Sequence, residues 1–392
     1  MAKAPTMPTD VTSLPGDTAA PAAAITGVAI EPRVVRVSWS DGRSSTFHHI
    51  WLRDNAPELR HESTNHRVVE TSTIPVDVRP TAAVVDDVGN LVITWAHDGH
   101  VSTFTPRWLS TYDYSNGVRR EPRPPVLWDA SIGDALTRAS YPDITADDAA
   151  RLAFLRGFRD HGLAILHDVP NIPGTVLEVA ELLGEVRVTS WGRLFDVVSM
   201  DDANSVAYTS LPLVTHTDEG YRDPAPSIQL QHFLRADAEG GEATLVDGFR
   251  VASDLRAARP DLFELLVTVP LHFHFRDATA EHENDAPVIE LDRRGELRTV
   301  RYSNHSAQPF LIDPELMEPY YEAYRAFGTM RESDQYRLQL DLRAGDMYIV
   351  DNRRVLHGRT GFTKGGARHL QSCYIERDEL ISRLTVLERA SR

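Results

Sequence analysis

The most informative part of this chain is Thr215-His216-Thr217-Asp218-Glu219, near the middle of the sequence. In an extended strand, residues i and i+2 point to the same face, so the His216 imidazole and the Asp218 carboxylate can bind one metal ion together. A third ligand must come from elsewhere, and His357 is the best candidate. Two histidines and a carboxylate form the facial triad of non-haem Fe(II) oxygenases, which leaves positions open for a cosubstrate and O₂. We therefore predict an Fe(II) site at these three residues.

An arginine downstream of the third ligand makes this prediction more specific. Because a guanidinium pairs bidentately with a carboxylate, we predict that Arg368 holds a dicarboxylate cosubstrate. The isolated His-x-Asp triplet is weak evidence, since the chain has 16 histidines and 57 acidic residues and such triplets usually lie in solvated loops. The triplet together with a distant histidine and an arginine is much stronger evidence.

The composition is that of an ordinary globular protein. Of the 392 residues, 42% are hydrophobic and 25% are charged, and no apolar run reaches the roughly 18 residues of a membrane span. The net charge of -16 argues against nucleic acid as a partner, because binding to phosphates needs clustered cations. The single Cys373 excludes an internal disulfide and a zinc site built on several thiolates. We expect a cytoplasmic protein without a membrane or nucleic-acid partner.

The order of motifs predicts three regions. Residues 1–24 are rich in Pro, Thr, Asp and Ala and are predicted to be a disordered tail. Residues 25–115 contain two similar segments with alternating apolar residues around an Asp-Gly turn, which predict β-hairpins in a small β-rich domain. We expect the tryptophans of this repeat to be core residues. Prolines and glycines interrupt the pattern at 116–125, and 126–392 is predicted to be the catalytic domain.

The larger region predicts a mostly β fold with helices. Short apolar segments bounded by turn residues predict strands at 162–166, 228–233, 243–247, 346–350 and 371–374. Helical patterns cover 145–161, 173–183 and 314–330, with Thr145 as the expected N-cap of the first. Many strands with turns at short intervals fit a double-stranded β-helix, or jelly roll, whose pocket both metal-binding segments can reach.

These motifs resemble the γ-butyrobetaine hydroxylase and trimethyllysine hydroxylase group of Fe(II)- and 2-oxoglutarate-dependent dioxygenases, in a superfamily that includes taurine dioxygenase. The motifs that carry the resemblance are Trp51-Leu-Arg-Asp-Asn55, Ile93-Thr-Trp95, Asn204-Ser-Val-Ala-Tyr208-Thr, His216-Thr-Asp218, Gly240-Gly241, Val246-Asp-Gly248-Phe, Asp351-Asn352, Leu356-His-Gly-Arg359 and Arg368-His-Leu370. The resemblance implies a jelly-roll catalytic domain, a small N-terminal domain and a homodimer. It also implies Fe(II), O₂ and 2-oxoglutarate as the cosubstrate.

The resemblance assigns roles residue by residue. His216, Asp218 and His357 match the iron ligands. Arg368 matches the arginine that holds the far carboxylate of 2-oxoglutarate, and Thr244 adds a hydroxyl beside it. The family binds a quaternary ammonium group in an aromatic cage, and the matching positions are Trp191, Phe195, Tyr208 and Tyr374. Ring faces suit a trimethylammonium group, which cannot donate hydrogen bonds but carries a spread positive charge.

The chain departs from the family in its N-terminal region. Family members commonly hold a structural zinc there with three cysteines and a histidine, whereas residues 56–66 contain no cysteine. His61, Glu62 and His66 could bind a metal, but a solvated loop is the simpler interpretation. We therefore predict that this region folds without zinc.

A second departure concerns the acidic end of the substrate. The butyrobetaine enzyme places two asparagines near the substrate carboxylate. Asn304 matches one of them, but Ser205 stands at the position of the other. His274, Arg276 and His305 are further candidates for contact with a phosphonate or a longer acid, although a surface or core polar role is the better explanation for each of them.

The predicted activity is hydroxylation of a C–H bond in a small quaternary-ammonium zwitterion, γ-butyrobetaine or a close analogue. Trimethyllysine and a trimethylammonium alkylphosphonate are alternative substrates. A catalytically silent cupin-like binding protein, in which His216 and Asp218 are merely polar, is an alternative of another class. A hydrolytic zinc enzyme is a third alternative, since two histidines and a carboxylate also suit zinc, but Arg368 argues against it.

Overall fold

The computed structural model describes residues 23–116, 123–198, 209–363 and 368–391. Most of the predicted N-terminal tail therefore lies outside the described residues. The chain divides into two compact units between Arg123 and Pro124. Within the described ranges, no helix is long and apolar enough to cross a membrane.

The first unit contains two three-stranded antiparallel sheets, with strand orders β1-β2-β3 and β4-β5-β6. The strands are β1 (Ile25–Ile30), β2 (Val34–Trp39), β3 (Ser44–His48), β4 (Pro80–Val85), β5 (Leu91–Trp95) and β6 (Val101–Phe104). The helices are α1 (His49–Asp54) and α2 (Pro106–Thr111), with 3-10 turns at Pro57–Leu59 and Thr71–Thr73.

Two tryptophans occupy equivalent positions in these sheets. Trp39 ends β2 and its indole N–H donates to the Ser45 hydroxyl oxygen at 2.7 Å. Trp95 ends β5 and donates in the same way to Ser102 at 2.9 Å. In both cases the acceptor lies on the next strand of the hairpin, and both rings are buried. The predicted repeat of hairpins is confirmed; Trp39 and Trp95 are core residues, whereas Trp51 and Trp108 are partly buried and pack against that core.

The second unit is built from many strands and several helices. Its strands are β7 (Thr137–Ser140), β8 (Leu163–His167), β9 (Val186–Arg187), β10 (Phe195–Val198), β11 (Leu213–His216), β12 (Ile228–Ala236), β13 (Ala243–Asp247), β14 (Pro270–Arg276), β15 (Glu281–Pro287), β16 (Ile289–Leu291), β17 (Leu297–Val300), β18 (Leu338–Leu340), β19 (Met347–Asp351), β20 (Val355–Arg359) and β21 (Arg368–Ile375). Its helices are α3 (Tyr141–Ala146), α4 (Asp148–His161), α5 (Thr175–Leu183), α6 (Gly248–Ala258), α7 (Pro260–Thr268), α8 (Met317–Glu332) and α9 (Arg377–Ala390), with 3-10 segments at Ala130–Ala135 and Pro314–Leu316.

Two sheets form the body of this unit. The larger sheet has the order β10-β21-β12-β19-β8-β7, with β9 paired to β21, and the smaller has the order β11-β20-β13-β18. One hydrophobic cluster contains Phe233 and Tyr348 from the larger sheet together with Leu245 and Val355 from the smaller. The sheets therefore share a core, and the predicted mostly β jelly roll with helices is confirmed.

The helical elements differ in detail from the prediction. The helix expected at 145–161 is interrupted at Asp147, whose side chain accepts from the backbone N–H groups of Ala149 and Ala150 and so caps α4. Thr145 instead donates its hydroxyl to the carbonyl of Tyr141. Asp147 caps the helix in place of Thr145 because its carboxylate can accept from two of the unpaired N–H groups of the first turn.

After position 184 the sequence pattern indicated mainly strands, and three helices of that region were missed. They are α6, α7 and α9. Pro260 starts α7, where its missing N–H costs no hydrogen bond, and the helix buries Leu262, Phe263 and Leu266. Such a short apolar run has no clear period from sequence alone, so packing against the rest of the unit decides its conformation.

Candidate active site

Strand pairing brings the two predicted histidine ligands together. His216 is the last residue of β11, and His357 lies in the middle of β20. The two strands are antiparallel neighbours in which His216 is directly opposite His357, and the ring centroids are 4.8 Å apart. Asp218 follows β11 by two positions, so the pairing of the smaller sheet assembles all three side chains.

The three donor groups converge on one point. His216 Nε2 is 3.2 Å from Oδ1 of Asp218, and His357 Nε2 is 3.4 Å from Oδ2. Nδ1 of His216 lies 3.0 Å from the carbonyl oxygen of Val214, which leaves Nε2 as the coordinating nitrogen. Metal–ligand bonds of about 2.1 Å at right angles place neighbouring donors about 3 Å apart. The arrangement therefore fits a metal ion held on one face, as Fe(II) requires.

Asp218 is held in place through both its backbone and its side chain. Its backbone N–H donates to Oδ1 of Asn352 at 2.7 Å, and its carbonyl accepts from Nδ2 of the same residue at 3.0 Å. Burial alone would raise the pKa of Asp218, but His357 and His216 lower that pKa well below its usual value. The carboxylate is therefore ionised and available to a cation.

The triad lies in a pocket of about 510 Å³ that also contains Arg368. The Arg368 guanidinium lies 5.6 Å from the ring centroid of Phe233 and 5.8 Å from that of Phe362, and burial lowers its pKa. Among the described residues no carboxylate forms a salt bridge with it. A half-buried cation in this situation is suited to an anionic ligand. The site residues thus fit 2-oxoglutarate as well as Fe(II).

Thr244 is next to a residue that lines the pocket. It lies in β13 opposite Gly358 and is buried. Its hydroxyl oxygen is 3.0 Å from the point that a Cβ of Gly358 would occupy. Gly358 lines the pocket, whereas Thr244 is not part of the lining in the described portion of the chain. Contact between Thr244 and a cosubstrate stays a prediction.

Three of the four predicted cage residues line the same pocket as the triad. Phe195 and Tyr374 are stacked with centroids 5.6 Å apart. Trp191 contacts Phe275 with centroids 5.6 Å apart. The fourth predicted residue, Tyr208, lies outside the described residues.

Sequence reasoning missed two further aromatic residues of the pocket. Tyr221 and Phe275 are stacked 5.0 Å apart, and both line the pocket. Together with Trp191, Phe195 and Tyr374 they form a surface that we call the aromatic wall. Glu219 lines the pocket as well, with its carboxylate 2.5 Å from Nε of Arg222, and burial raises the pKa of Glu219 to about 7. Glu219 and Tyr221 are close in sequence to the His-x-Asp triplet, and this proximity could have identified them as pocket residues. Phe275 lies on β14, far away in sequence, and carried no such signal.

The predicted residues for the acidic end of the substrate are only partly placed. Ser205 lies outside the described residues. Asn304 is exposed, and its Oδ1 accepts from the Tyr324 hydroxyl at 2.7 Å. Its neighbour His305 lines the pocket, with its ring centroid 5.4 Å from that of His216.

Two further candidates for contact with an acidic group also line this pocket. His274 and Arg276 both lie on β14. His274 Nε2 is 3.0 Å from a carboxylate oxygen of Glu281, and Arg276 Nε is 3.9 Å from the other.

His216, Asp218 and His357 form the one group of three His, Cys, Asp or Glu side chains with metal-binding geometry among the described residues. His61, Glu62 and His66 are exposed, and the backbone N–H of His61 donates to the carbonyl of His66 at 2.8 Å. The expected absence of a zinc ion from the first unit stays a prediction.

Comparison with known proteins identifies the family. Residues 120–374 match the family model described as taurine catabolism dioxygenase TauD, TfdA family. Residues 28–110 match the model for the N-terminal region of γ-butyrobetaine hydroxylase-like proteins.

Similar proteins are known from several organisms. A γ-butyrobetaine dioxygenase of Pseudomonas sp. (strain AK-1) is 40% identical over 91% of this chain and 94% of that protein. A mitochondrial trimethyllysine dioxygenase of Gallus gallus is 30% identical over 87% of this chain and 83% of that protein. A solved asparagine oxygenase with Fe(II), hydroxyasparagine and succinate is 22% identical over 58% of this chain and 79% of that chain, with a TM-score of 0.47. The chain belongs to the TauD/TfdA family of dioxygenases and carries the γ-butyrobetaine hydroxylase-like N-terminal region.

Proposed function

We propose that this enzyme uses Fe(II), O₂ and 2-oxoglutarate to hydroxylate a C–H bond of a small quaternary-ammonium zwitterion, γ-butyrobetaine or a close analogue. The observation that carries the proposal is the presence of stacked aromatic side chains in the same pocket as His216, Asp218 and His357. The 40% identity to the Pseudomonas γ-butyrobetaine dioxygenase supports it.

The aromatic wall explains how such a substrate is selected. A trimethylammonium head cannot donate hydrogen bonds, but its charge is attracted to ring faces by about 0.5–2 kcal/mol for each good contact. Trp191, Phe195 and Tyr374, together with Tyr208, form the proposed cage. Tyr221 and Phe275 extend the same surface.

The cosubstrate end of the pocket is assigned to the half-buried arginine. Arg368 binds the distal carboxylate of 2-oxoglutarate, and His216, Asp218 and His357 hold Fe(II). When bound, Fe(II) with 2-oxoglutarate and O₂ supplies the oxidising chemistry that turns a C–H bond into C–OH and yields succinate and CO₂. The side chains contribute by fixing one substrate carbon close to the metal.

The opposite end of the substrate has polar partners. Asn304 and Ser205 remain the proposed contacts for its acidic group. His274, Arg276 and His305 are additional contacts for a larger acid, and their position in the pocket lining supports this.

The second unit carries the activity in this proposal. We infer a catalytic domain at 126–392, a small domain at 25–115 and a homodimer. A cytoplasmic location is proposed because the chain has a single cysteine, which is buried.

The proposal is tested by turnover with a panel of amines. Succinate and O₂ consumption are measured with γ-butyrobetaine, trimethyllysine, a trimethylammonium alkylphosphonate and isosteres in which carbon replaces the quaternary nitrogen. We expect turnover that depends on 2-oxoglutarate and is highest with γ-butyrobetaine. Equal stimulation by the neutral isosteres would eliminate the ammonium cage, and absence of 2-oxoglutarate-dependent O₂ consumption would eliminate the oxygenase assignment.

A further inference from the structure

Two neutral hydrogen-bond donors meet on one oxygen of the Asp218 carboxylate. The Tyr374 hydroxyl donates to Oδ2 of Asp218 at 2.6 Å, and Nε2 of Gln229 donates to the same oxygen at 2.7 Å. Gln229 Nε2 is also 3.2 Å from the Tyr374 hydroxyl oxygen. Tyr374 is 3% exposed and Gln229 is 1% exposed, so water does not compete for these bonds.

The larger sheet fixes both donors. Gln229 lies on β12 and Tyr374 lies directly opposite it on β21. Residues opposite one another on paired strands point to the same face, here the face that lines the pocket. Side chains held on a rigid sheet can define the orientation of a neighbouring metal ligand more narrowly than side chains on a loop.

The two carboxylate oxygens are otherwise in similar positions. Oδ1 is 3.2 Å from Nε2 of His216, and Oδ2 is 3.4 Å from Nε2 of His357. Distance alone therefore does not decide which oxygen binds the metal. A carboxylate oxygen has about two lone-pair sites, and two donors already use those of Oδ2, whereas Oδ1 keeps its lone pairs for the ion.

We propose that Tyr374 and Gln229 are positioning residues that make Asp218 bind the metal through Oδ1 alone. Coordination through both oxygens would fill a position that the cosubstrate or O₂ needs. Tyr374 performs this task with its hydroxyl, while its ring belongs to the substrate wall. The proposed effect of Tyr374 and Gln229 on metal binding does not depend on the substrate. Only the role of the Tyr374 ring in substrate binding rests on the proposed function.

The test is titration of the full-length, chelator-stripped protein with Co(II), followed by visible absorption. Tyr374→Phe removes the hydroxyl and keeps the ring, and Gln229→Met removes the donor with little change in volume. We expect each variant to raise the dissociation constant for Co(II) on the order of tenfold, and the double variant more, because loss of partners of metal ligands usually weakens binding by 10- to 100-fold.

The matched control is Gln231→Met. Gln231 lies on the same strand and also lines the pocket, but the described part of the chain contains no hydrogen bond between it and Asp218. Its Co(II) affinity is expected to equal that of the wild type. Wild-type affinity in both Tyr374→Phe and Gln229→Met would overturn the proposal, as would an equal loss in Gln231→Met. Thermal unfolding of the stripped proteins checks that all variants fold.

A second readout separates the hydroxyl of Tyr374 from its ring. Phe195→Leu removes the ring that stacks on Tyr374 and keeps both side chains that donate to Asp218, Tyr374 and Gln229. We expect Phe195→Leu to raise the KM for the ammonium substrate at unchanged Co(II) affinity. We expect Tyr374→Phe to weaken Co(II) binding and to leave that KM unchanged, because the ring is kept. If no ammonium compound is turned over, the proposed function fails, but the Co(II) result still decides the positioning role.

Discussion

His216 and His357 are directly opposite each other on adjacent antiparallel strands, with ring centroids 4.8 Å apart. Because Asp218 lies two positions beyond His216, one strand pair and its continuation assemble the whole metal-binding set. The register of β11 against β20 is therefore a condition of activity. A slip by one residue would turn the histidine to the other face of the sheet.

His357 is predicted to be essential for metal binding. We expect His357→Ala to abolish Fe(II) binding, because two ligands from one short segment cannot replace three. His305→Ala is the matched control, since its ring is 5.4 Å from that of His216 but does not belong to the triad. Anaerobic Fe(II) titration measures both variants. Fe(II) binding by His357→Ala at wild-type affinity would refute the assignment of the triad.

Arg368→Lys is expected to raise the KM for 2-oxoglutarate. The substitution keeps the charge but loses the bidentate geometry, and a charged hydrogen bond is worth about 1.5–3 kcal/mol, which corresponds to roughly 10- to 100-fold. Steady-state kinetics with varied 2-oxoglutarate provides the measurement. Arg276→Lys serves as the control, because Arg276 lines the same pocket with an exposed side chain and its substitution is expected to leave this KM unchanged. Equal effects in both variants would contradict the role of Arg368.

Phe275→Leu is expected to weaken binding of the quaternary-ammonium substrate on the order of tenfold through the loss of cation-π attraction. Phe275 contacts both Trp191 and Tyr221, so the substitution interrupts the aromatic wall at its centre. The measurement is the inhibition constant of a non-hydroxylatable trimethylammonium analogue. Its tert-butyl isostere is the chemical control, since the two ligands differ only in charge. A similar loss for both ligands would indicate a packing effect and exclude a cation-π role.

His232 is predicted to make folding stability depend on pH. It is fully buried without a hydrogen-bond partner for either ring nitrogen in the described structure, and burial lowers its pKa to about 4. The unfolded chain binds a proton near pH 6.5 whereas the folded chain does not, so stability is complete above pH 6.5 and falls as the pH drops toward 4. The loss attributable to this residue is on the order of 3 kcal/mol at pH 4.

Urea unfolding of wild type and His232→Met between pH 4 and 7 measures this effect. We expect the variant to lose less stability over that interval. His66→Met is the control, because His66 is exposed and its substitution should leave the pH profile of the wild type unchanged. Parallel profiles for wild type and His232→Met would show that another group is responsible.

The amino-acid sequence was sufficient for the local features. His216 and Asp218 could be paired because they are two positions apart, although only His216 lies in a strand, β11. The hairpins around Trp39 and Trp95 followed from alternating patterns and Asp-Gly turns. His357 and Arg368 lie far from the triplet, and their selection relied on ligand chemistry and on the family resemblance.

The tertiary structure decided which distant side chains meet. Gln229 and Tyr374 are 145 positions apart and reach one carboxylate oxygen because β12 and β21 pair in a defined register. Phe275 joins the aromatic wall because β14 is placed beside the pocket. Sequence periodicity describes the face on which a side chain lies, but register and packing depend on the free energy of the whole fold, so neither contact could be derived from local pattern.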